Sequence, residues 1–291
     1  MTSIVKFIPK RWLAMASMAL ALQSSVALAQ GITATWQGID EAAVRMFAAQ
    51  DGLDREGRIW LGVQIRLAPG WKTYWRYPGE SGAPPRLDWR NSKNLEKAVV
   101  RWPAPRRFSA FGFDSFGYHD EVVLPVLLQA KAPGKPLQAR LELEYMVCAN
   151  VCVPVQAKLA LNLPPRGPQA TSAPSAGAIL IGRYMALVPT AASRSGLTIE
   201  SAAVSGPAGR QVLRIKAHAD RPFQAPDVMV EAPEPFGFGR PELTFGPDGR
   251  DVAMALPVYA GTGKAKLSRQ TLTLTLVDGN RAVERQLTLN E

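Results

Sequence analysis

The chain has 291 residues, with 34 lysines and arginines against 24 aspartates and glutamates, a net charge of +10 and only two cysteines. The basic residues are dispersed rather than gathered into a stripe, which excludes a nucleic-acid-binding protein of the usual kind and favours acidic partners or a membrane surface. The length suffices for two domains of ordinary size, each with its own core.

The first 29 residues have the three parts of a secretory signal peptide. Lys6, Lys10 and Arg11 form a basic start, residues 12–22 form a short apolar run, and residues 27–29 form a small-x-small cleavage site. Such a leader is too short to span a membrane, and no later run approaches about 18 apolar residues. We therefore expect residues 1–29 to be removed and the exported chain, not itself membrane-spanning, to work where disulfides persist.

Residues 30–163 are predicted to form a first β domain. Alternating or apolar runs predict strands at residues 44–49, 58–67, 99–102 and 121–128. Residues 107–118 are predicted to be a flexible aromatic loop. Residues 69–85 are dense in aromatic residues, glycine and proline, and two interpretations stay open: packing over a sandwich edge, or a contact surface for a sugar or a protein.

The two cysteines, Cys148 and Cys152, lie between two runs of alternating apolar and polar residues. In one straight strand their Cα atoms would be roughly 13 Å apart, whereas a disulfide needs less than about 7 Å. The chain should therefore turn at residues 149–151 and form a hairpin. The register then places Cys148 opposite Cys152 and Val147 opposite Val153. Such apolar pairs face the core, and both sulfurs are predicted on the other face, at an exposed tip.

The second half of the chain is predicted to be a second β domain. Residues 164–178, rich in proline, serine and alanine, are interpreted as a linker, and residues 179–188 as one short helix. Within residues 179–291, further short strands follow, with a clear hairpin around Asp278 and Gly279. Regular short strands in both halves predict an all-β protein of two sandwiches. The second domain, which has no cysteine or tryptophan, is interpreted as structural.

Few other residues suggest chemistry. His119 and His218 lie on opposite sides of the linker, so a zinc site that combines both with the cysteines is not expected. A Cu(I) site would have only Met146 to assist the thiols, and a cysteine–histidine hydrolase using His119 has no sequence support beyond that residue. No metal or cofactor is therefore predicted. Cys148 and Cys152 remain, either as an inert structural disulfide or as an exchangeable pair. An exposed position and a small closed loop favour the exchangeable pair.

Four motifs occur in an order that resembles a known family. They are GWKTYWRYPGESG at 70–82, WPAPR at 102–106, GYHDEVVLPV at 117–126 and VCANVCVP at 147–154. Together they resemble the N-terminal periplasmic domain of the DsbD/ScsB-type thiol:disulfide interchange (protein-disulfide reductase) family, over about residues 32–163. The resemblance implies an immunoglobulin-like β-sandwich and a periplasmic location. The predicted fold is thus two immunoglobulin-like β-sandwich domains joined by the linker.

The resemblance also implies roles for particular residues. Cys148 and Cys152 correspond to the catalytic redox pair, in which one sulfur forms a mixed disulfide and the other resolves it. In the family an aromatic cap loop shields this pair, and the loop at residues 108–116 occupies the corresponding place. Phe111 is the candidate shielding ring. The other candidates for shielding or tuning are Tyr118, Asp120 and Glu121, since a nearby carboxylate opposes thiolate formation.

The family passes electrons from a membrane reductase to periplasmic thioredoxin-fold proteins. Two departures matter here: only three residues separate the cysteines, as in the ScsB-like branch, and this sequence has no transmembrane segment. We therefore expect a thiol:disulfide exchange protein that relays electrons between a separate membrane reductase and thioredoxin-fold clients. The alternative is a non-catalytic periplasmic binding or assembly module with a structural disulfide. A link to copper tolerance is suggested only by the ScsB-type members.

Overall fold

The structure is a computed structural model that describes residues 32–110, 112–165, 175–190, 193–261 and 265–290. The predicted signal peptide and most of the predicted linker lie outside these residues. The described residues belong to one compact unit, Gly31–Glu291. Among them, no helix has the length and apolar character needed to cross a membrane.

The first sandwich consists of strands β1 to β11. In chain order these are Gln37–Ile39, Ala42–Ala48, Arg58–Leu67, Lys72–Gly79, Arg86–Asp88, Leu95–Val100, Arg106–Ala110, Phe113–His119, Glu121–Ala130, Leu137–Cys148 and Cys152–Leu163. One sheet has the order β1-β2-β3-β9-β6, and the other has the order β11-β10-β4-β8-β7, with β5 paired to β10. Val63, Leu124, Trp75 and Leu143 are fully or almost fully buried between the two sheets and form part of the main core.

The second sandwich consists of strands β12 to β19. These are Leu197–Ser205, Val212–Ala219, Pro226–Glu231, Phe236–Phe238, Glu242–Phe245, Asp251–Ala260, Thr271–Asp278 and Arg281–Thr288. One sheet has the order β12-β13-β17-β15, with β16 paired to β17, and the other has the order β14-β18-β19. Leu213, Met254 and Leu274 lie in the core between them. The predicted class, all-β with two immunoglobulin-like sandwiches, is confirmed.

Helix α1, Ala176–Met185, begins three residues before the predicted helix. Ser175 caps it by accepting a hydrogen bond from the Ala178 backbone N–H at 3.0 Å. Ile181 is buried against Phe47 and Val123 of the first sandwich. The helix is therefore held by packing against that sandwich, because so short a helix is not stable alone.

Two segments that were predicted to be irregular form strands instead. The predicted flexible loop at residues 107–118 is wrong, since most of it forms the antiparallel strands β7 and β8. Residues 69–85 contain β4, an interior strand in which Tyr74 and Trp75 are almost completely buried. The contact-surface interpretation is therefore wrong for Tyr74 and Trp75, whereas Trp71 and Tyr77 are half-buried. A register shift between Tyr74 and Gly79 breaks the pairing of β4 with β8, which explains why the alternation was hard to recognise.

Candidate functional site

The cysteine hairpin has the predicted register. Cys148, the last residue of β10, pairs with Cys152, the first residue of β11, and Val147 pairs with Val153. The two cysteines form a disulfide with Cα atoms 4.1 Å apart. Val147 lies in the main core, so alternation turns both sulfurs to the outer face of the sheet, as predicted.

The two sulfurs differ in exposure. Cys152 is exposed, whereas Cys148 is only 1% exposed and forms a separate buried cluster with Tyr74 and Phe108, against which Met146 packs. The predicted exposed tip is therefore right for Cys152 and wrong for Cys148. The reason is that β4 and β7 bring aromatic side chains across the outer face of the same sheet. The disulfide thus has one sulfur in solvent and one beneath an aromatic cover, which is formed by Tyr74 and Phe108.

Strand pairing explains how Tyr74 reaches the disulfide. Cys148 lies opposite Lys72 in β4, and Tyr74 follows two residues later on the same face of the strand. Tyr74 in turn lies opposite Gly117 of β8. A Cβ atom at Gly117 would approach the Thr73 carbonyl oxygen to 1.9 Å and the Phe108 ring to 3.0 Å. Glycine at this position therefore leaves room for the Thr73 carbonyl and for the Phe108 ring, whose centroid is 5.8 Å from that of Tyr74.

Tyr74 is the polar contact of the buried sulfur. Its hydroxyl donates a hydrogen bond to Cys148 Sγ at 3.1 Å and lies 3.9 Å from Cys152 Sγ. Burial raises the pKa of Tyr74, against a smaller opposing effect of Ser81, so the hydroxyl keeps its proton at neutral pH. A disulfide sulfur is a weak acceptor, whereas a thiolate is a strong one. This hydrogen bond should therefore strengthen when the disulfide opens.

The Tyr74 ring is fixed from its other side by the loop that follows β4. A Cβ atom at Gly82 would lie 2.1 Å from Tyr74 Cε1, and Gly82 has a φ of +90°. Both the space and the backbone conformation therefore require glycine at this position. This gives a physical reason for the last glycine of the 70–82 motif.

Positive charge lies beside the disulfide. Lys72 Nζ is 5.4 Å from the centroid of the Phe108 ring, and His119 meets that ring edge-on at 5.7 Å. Burial lowers the pKa of His119, with Lys72 and Arg106 adding to the effect and Asp120 opposing it. His119 is therefore neutral at pH 7, and Lys72 places a positive charge over the Phe108 ring. A nearby cation favours the thiolate form of a cysteine.

The candidate shielding and tuning residues take different positions. Phe111 lies outside the described residues. Tyr118 is part of the main core, on the opposite face of the sheet from the sulfurs, and donates a hydrogen bond to the Pro103 carbonyl at 2.8 Å. Tyr118 therefore does not shield the disulfide, because alternation in β8 turns it inward while Gly117 and His119 face outward.

The two acidic candidates contact residues other than the cysteines. Asp120 is exposed in the turn after β8, where its carbonyl oxygen accepts a hydrogen bond from the Leu67 backbone N–H at 2.7 Å and its charge acts on His119. Glu121 begins β9 in the other sheet, where its carboxylate accepts hydrogen bonds from Gln64 at 2.7 Å and Arg66 at 2.8 Å. Its side chain is thus bound to the opposite sheet.

Sequence reasoning missed Tyr74, Phe108 and Lys72 as neighbours of the disulfide. Lys72 and Tyr74 both belong to the motif at residues 70–82 and are two residues apart. This spacing could have predicted that their side chains lie on the same face of a strand. Which strand lies beside β10 was not readable from the sequence, because the paired residues of β4 and β10 are 74 and 76 positions apart along the chain.

One group outside this site has the side chains of a metal site. Ligand atoms of Glu200, His218 and Asp251, all exposed on the second sandwich, lie within 4.8 Å of one another. His218 Nδ1 is 2.8 Å from Asp251 Oδ1, so the histidine already has a carboxylate partner. These three residues are far from Cys148 and Cys152 along the chain.

Comparison with known proteins gives two family matches. Residues 40–164 match the family described as "Thiol:disulfide interchange protein DsbD, N-terminal", which confirms the resemblance of the first part of the chain. Residues 187–291 match a "Domain of unknown function (DUF8393)". No curated protein matches the chain.

A solved structure is also similar. It is the crystal structure of the N-terminal periplasmic domain of ScsB from Proteus mirabilis, with a TM-score of 0.69 and 24% sequence identity. The match covers 90% of this chain and 99% of that one, so both sandwiches are included. At this identity the similarity establishes the fold.

Proposed function

We propose that this protein is a periplasmic thiol:disulfide exchange protein that relays electrons between a membrane thiol reductase and thioredoxin-fold clients. The observation that carries the proposal is the asymmetry of the disulfide: Cys152 is exposed, and Cys148 is buried under the Tyr74 hydroxyl. An inert staple has no need of a polar donor aimed at one sulfur. The family match of residues 40–164 supports the same chemistry.

In the accepting half-reaction, a thiolate of the reductase attacks Cys152 Sγ, the sulfur that solvent reaches. The disulfide breaks, and its electron pair goes to Cys148 Sγ, which becomes a thiolate and accepts the hydrogen bond of Tyr74. A second reductase thiol then attacks the mixed disulfide and releases Cys152. Two electrons and two protons enter the chain, and the reductase leaves with a disulfide.

In the donating half-reaction the roles reverse. The Cys152 thiolate attacks the disulfide of a thioredoxin-fold client and forms a mixed disulfide. Cys148, held close by the hairpin pairing, then attacks Cys152 Sγ and releases the client as a dithiol. The 4.1 Å between the two Cα atoms keeps the resolving thiol at a high effective concentration throughout.

The direct test is electron transfer to a defined acceptor. The reduced chain is mixed with an oxidised thioredoxin-fold disulfide isomerase, and the redox state of both is followed by thiol alkylation and mass spectrometry. We expect the isomerase to be reduced as the Cys148–Cys152 disulfide forms, with no transfer from a chain whose thiols were alkylated beforehand. If both proteins keep their starting redox states while a small thiol still reacts with the chain, the relay proposal is wrong.

A further inference from the structure

The two side chains that bury Cys148 stand next to arginines that bind the second sandwich. Arg107 precedes Phe108 in β7, and Arg76 follows Tyr74 by two residues in β4. Both arginines pair with carboxylates that are more than 100 residues away along the chain. The cover of the disulfide is therefore attached to the second sandwich at two points.

Arg107 makes the most complete of these contacts. Its side chain is only 10% exposed. Nε and one terminal nitrogen donate to the two carboxylate oxygens of Asp227, each at 2.9 Å, and the same terminal nitrogen also donates to the Val228 carbonyl at 3.0 Å. The other terminal nitrogen donates to Asp114 of β8 at 3.1 Å. This paired geometry fixes the direction as well as the position of β7.

Asp114 extends the network to a second arginine. Its carboxylate, 11% exposed, also accepts hydrogen bonds from Arg240 Nε at 2.8 Å and from a terminal nitrogen of Arg240 at 2.6 Å. Burial opposes ionisation of Asp114, but Arg240 and Arg107 together outweigh it and hold the pKa of this carboxyl below its usual value. Asp114 is therefore charged at neutral pH, and the β7–β8 hairpin is bound from both of its strands.

Arg76 provides the second attachment. It donates to Glu231 of β14 at 2.5 Å and also pairs with Glu284 of β19. Its guanidinium stacks on the Trp75 ring, 4.3 Å from the centroid. Burial opposes the charge, but the hydrogen bonds to Glu231 and Glu284 raise the pKa of Arg76. Apolar contacts join the two sandwiches as well, since Met229, Val277 and Ala282 of the second sandwich belong to the same buried cluster as the core of the first.

We propose that Arg107 is a positioning residue for thiol exchange: by joining Asp114 to Asp227, it lets the second sandwich hold Phe108 in the cluster that buries Cys148. The second sandwich is then part of the redox unit, and it directs incoming thiols to Cys152. This inference rests on the proposed function only for its biological use. The reactivity it predicts belongs to the disulfide itself and is measurable without a protein partner.

The test compares two equally buried arginines in the full chain. Arg107→Gln removes the contact of Arg107 with Asp227, whereas Arg281→Gln removes a similar arginine, also 10% exposed and also paired with two carboxylates, Asp220 at 2.9 Å and Asp278 at 2.5 Å. Arg281 lies wholly within the second sandwich. A loss of stability alone should therefore affect both variants alike. A loss of the positioning of Phe108 should appear in Arg107→Gln and not in Arg281→Gln.

Two quantities are measured on each oxidised protein under native conditions. The first is the rate of reduction by dithiothreitol. The second is the fraction of a small monothiol that becomes attached to Cys148 rather than Cys152, located by fragmentation mass spectrometry. For Arg107→Gln we expect a rate at least about fivefold above that of the natural chain, the lower end of typical coupling between sites, and adducts on both cysteines. Arg281→Gln should match the natural chain in both.

Equal rates and adducts on Cys152 alone for Arg107→Gln would overturn the proposal. A rate increase shared with Arg281→Gln would overturn it too, since it would report general loosening. If Arg107→Gln does not fold, Asp227→Asn replaces it, because that variant keeps Arg107 paired with Asp114 and weakens its link to the second sandwich. Failure of the relay itself would appear instead as absent transfer to the isomerase, with this dithiothreitol result unchanged.

Discussion

Replacing Cys152 by serine is expected to abolish thiol exchange with a thioredoxin-fold protein, whereas Cys148→Ser should accumulate as a mixed disulfide with it. The physical reason is exposure. In Cys148→Ser the remaining thiol is the solvent-exposed one, which can attack but has no partner to resolve the product. In Cys152→Ser the remaining thiol is 1% exposed beneath aromatic rings.

Both serine variants should fold. The disulfide joins residues only four positions apart, and loop entropy assigns so short a closure about 2 kcal/mol, less than the usual stability of a domain. Mixed disulfides are counted by non-reducing electrophoresis and mass spectrometry, with the double serine variant as the control. Equal trapping by the two single variants would contradict the assigned roles, as would trapping through Cys148 alone.

Tyr74→Phe is expected to slow opening of the disulfide by about tenfold or more. The change keeps the ring that packs against Gly82 and Phe108 but removes the donor that lies 3.1 Å from Cys148 Sγ. A hydrogen bond to a charged group contributes roughly 1.5–3 kcal/mol, and about 1.4 kcal/mol corresponds to a factor of ten in rate. Because the thiolate loses this bond, the pKa of the reduced Cys148 thiol should also rise.

Tyr118→Phe is the matched control for this prediction. It removes a buried tyrosine hydroxyl from the same sheet, but from the face turned away from the sulfurs, where the hydroxyl binds the Pro103 carbonyl. Its effect should be a loss of about 1 kcal/mol in the free energy of unfolding, without a change in exchange rate. Rates are measured by stopped-flow reduction across pH. Similar rates for Tyr74→Phe and the natural chain would show that the hydroxyl has no part in the chemistry.

The sequence was sufficient for the local structure of the hairpin. Alternation on both sides of Cys148 and Cys152 determined the turn, the register and the face, because period-two patterns and disulfide geometry are local constraints. The same reasoning recovered strands such as Arg58–Leu67 and the class of both sandwiches.

The cover of the disulfide could not be derived in that way. Its chief residue, Tyr74, is 74 positions from Cys148, and the strand that carries it sits in a segment whose glycines and prolines resemble loop punctuation. Phe108 was placed in a loop because aromatic residues between glycines do not reveal a hairpin. The first error concerns long-range strand pairing, which a single sequence specifies only through the complete fold, whereas the second concerns the local β7–β8 hairpin.

The ion pairs between the two sandwiches could also not be predicted from the sequence. Arg107 and Asp227 are 120 residues apart, and neither belongs to a sequence motif from which its ion-pair partner could be predicted. The interpretation of the second domain as merely structural followed from its lack of cysteine and tryptophan. The contacts of Arg107 and Arg76 give it instead a defined relation to the residues around Cys148.

The most direct test of the whole account is the reduction potential of the Cys148–Cys152 disulfide, measured in glutathione or dithiothreitol redox buffers at pH 7. An exchangeable pair with one exposed sulfur should have a potential above about −300 mV, within the range of thiol–disulfide exchange proteins. A structural disulfide in a non-catalytic binding or assembly module should have a potential below about −300 mV. A value clearly below that limit would contradict the relay and leave the staple as the explanation of the two cysteines.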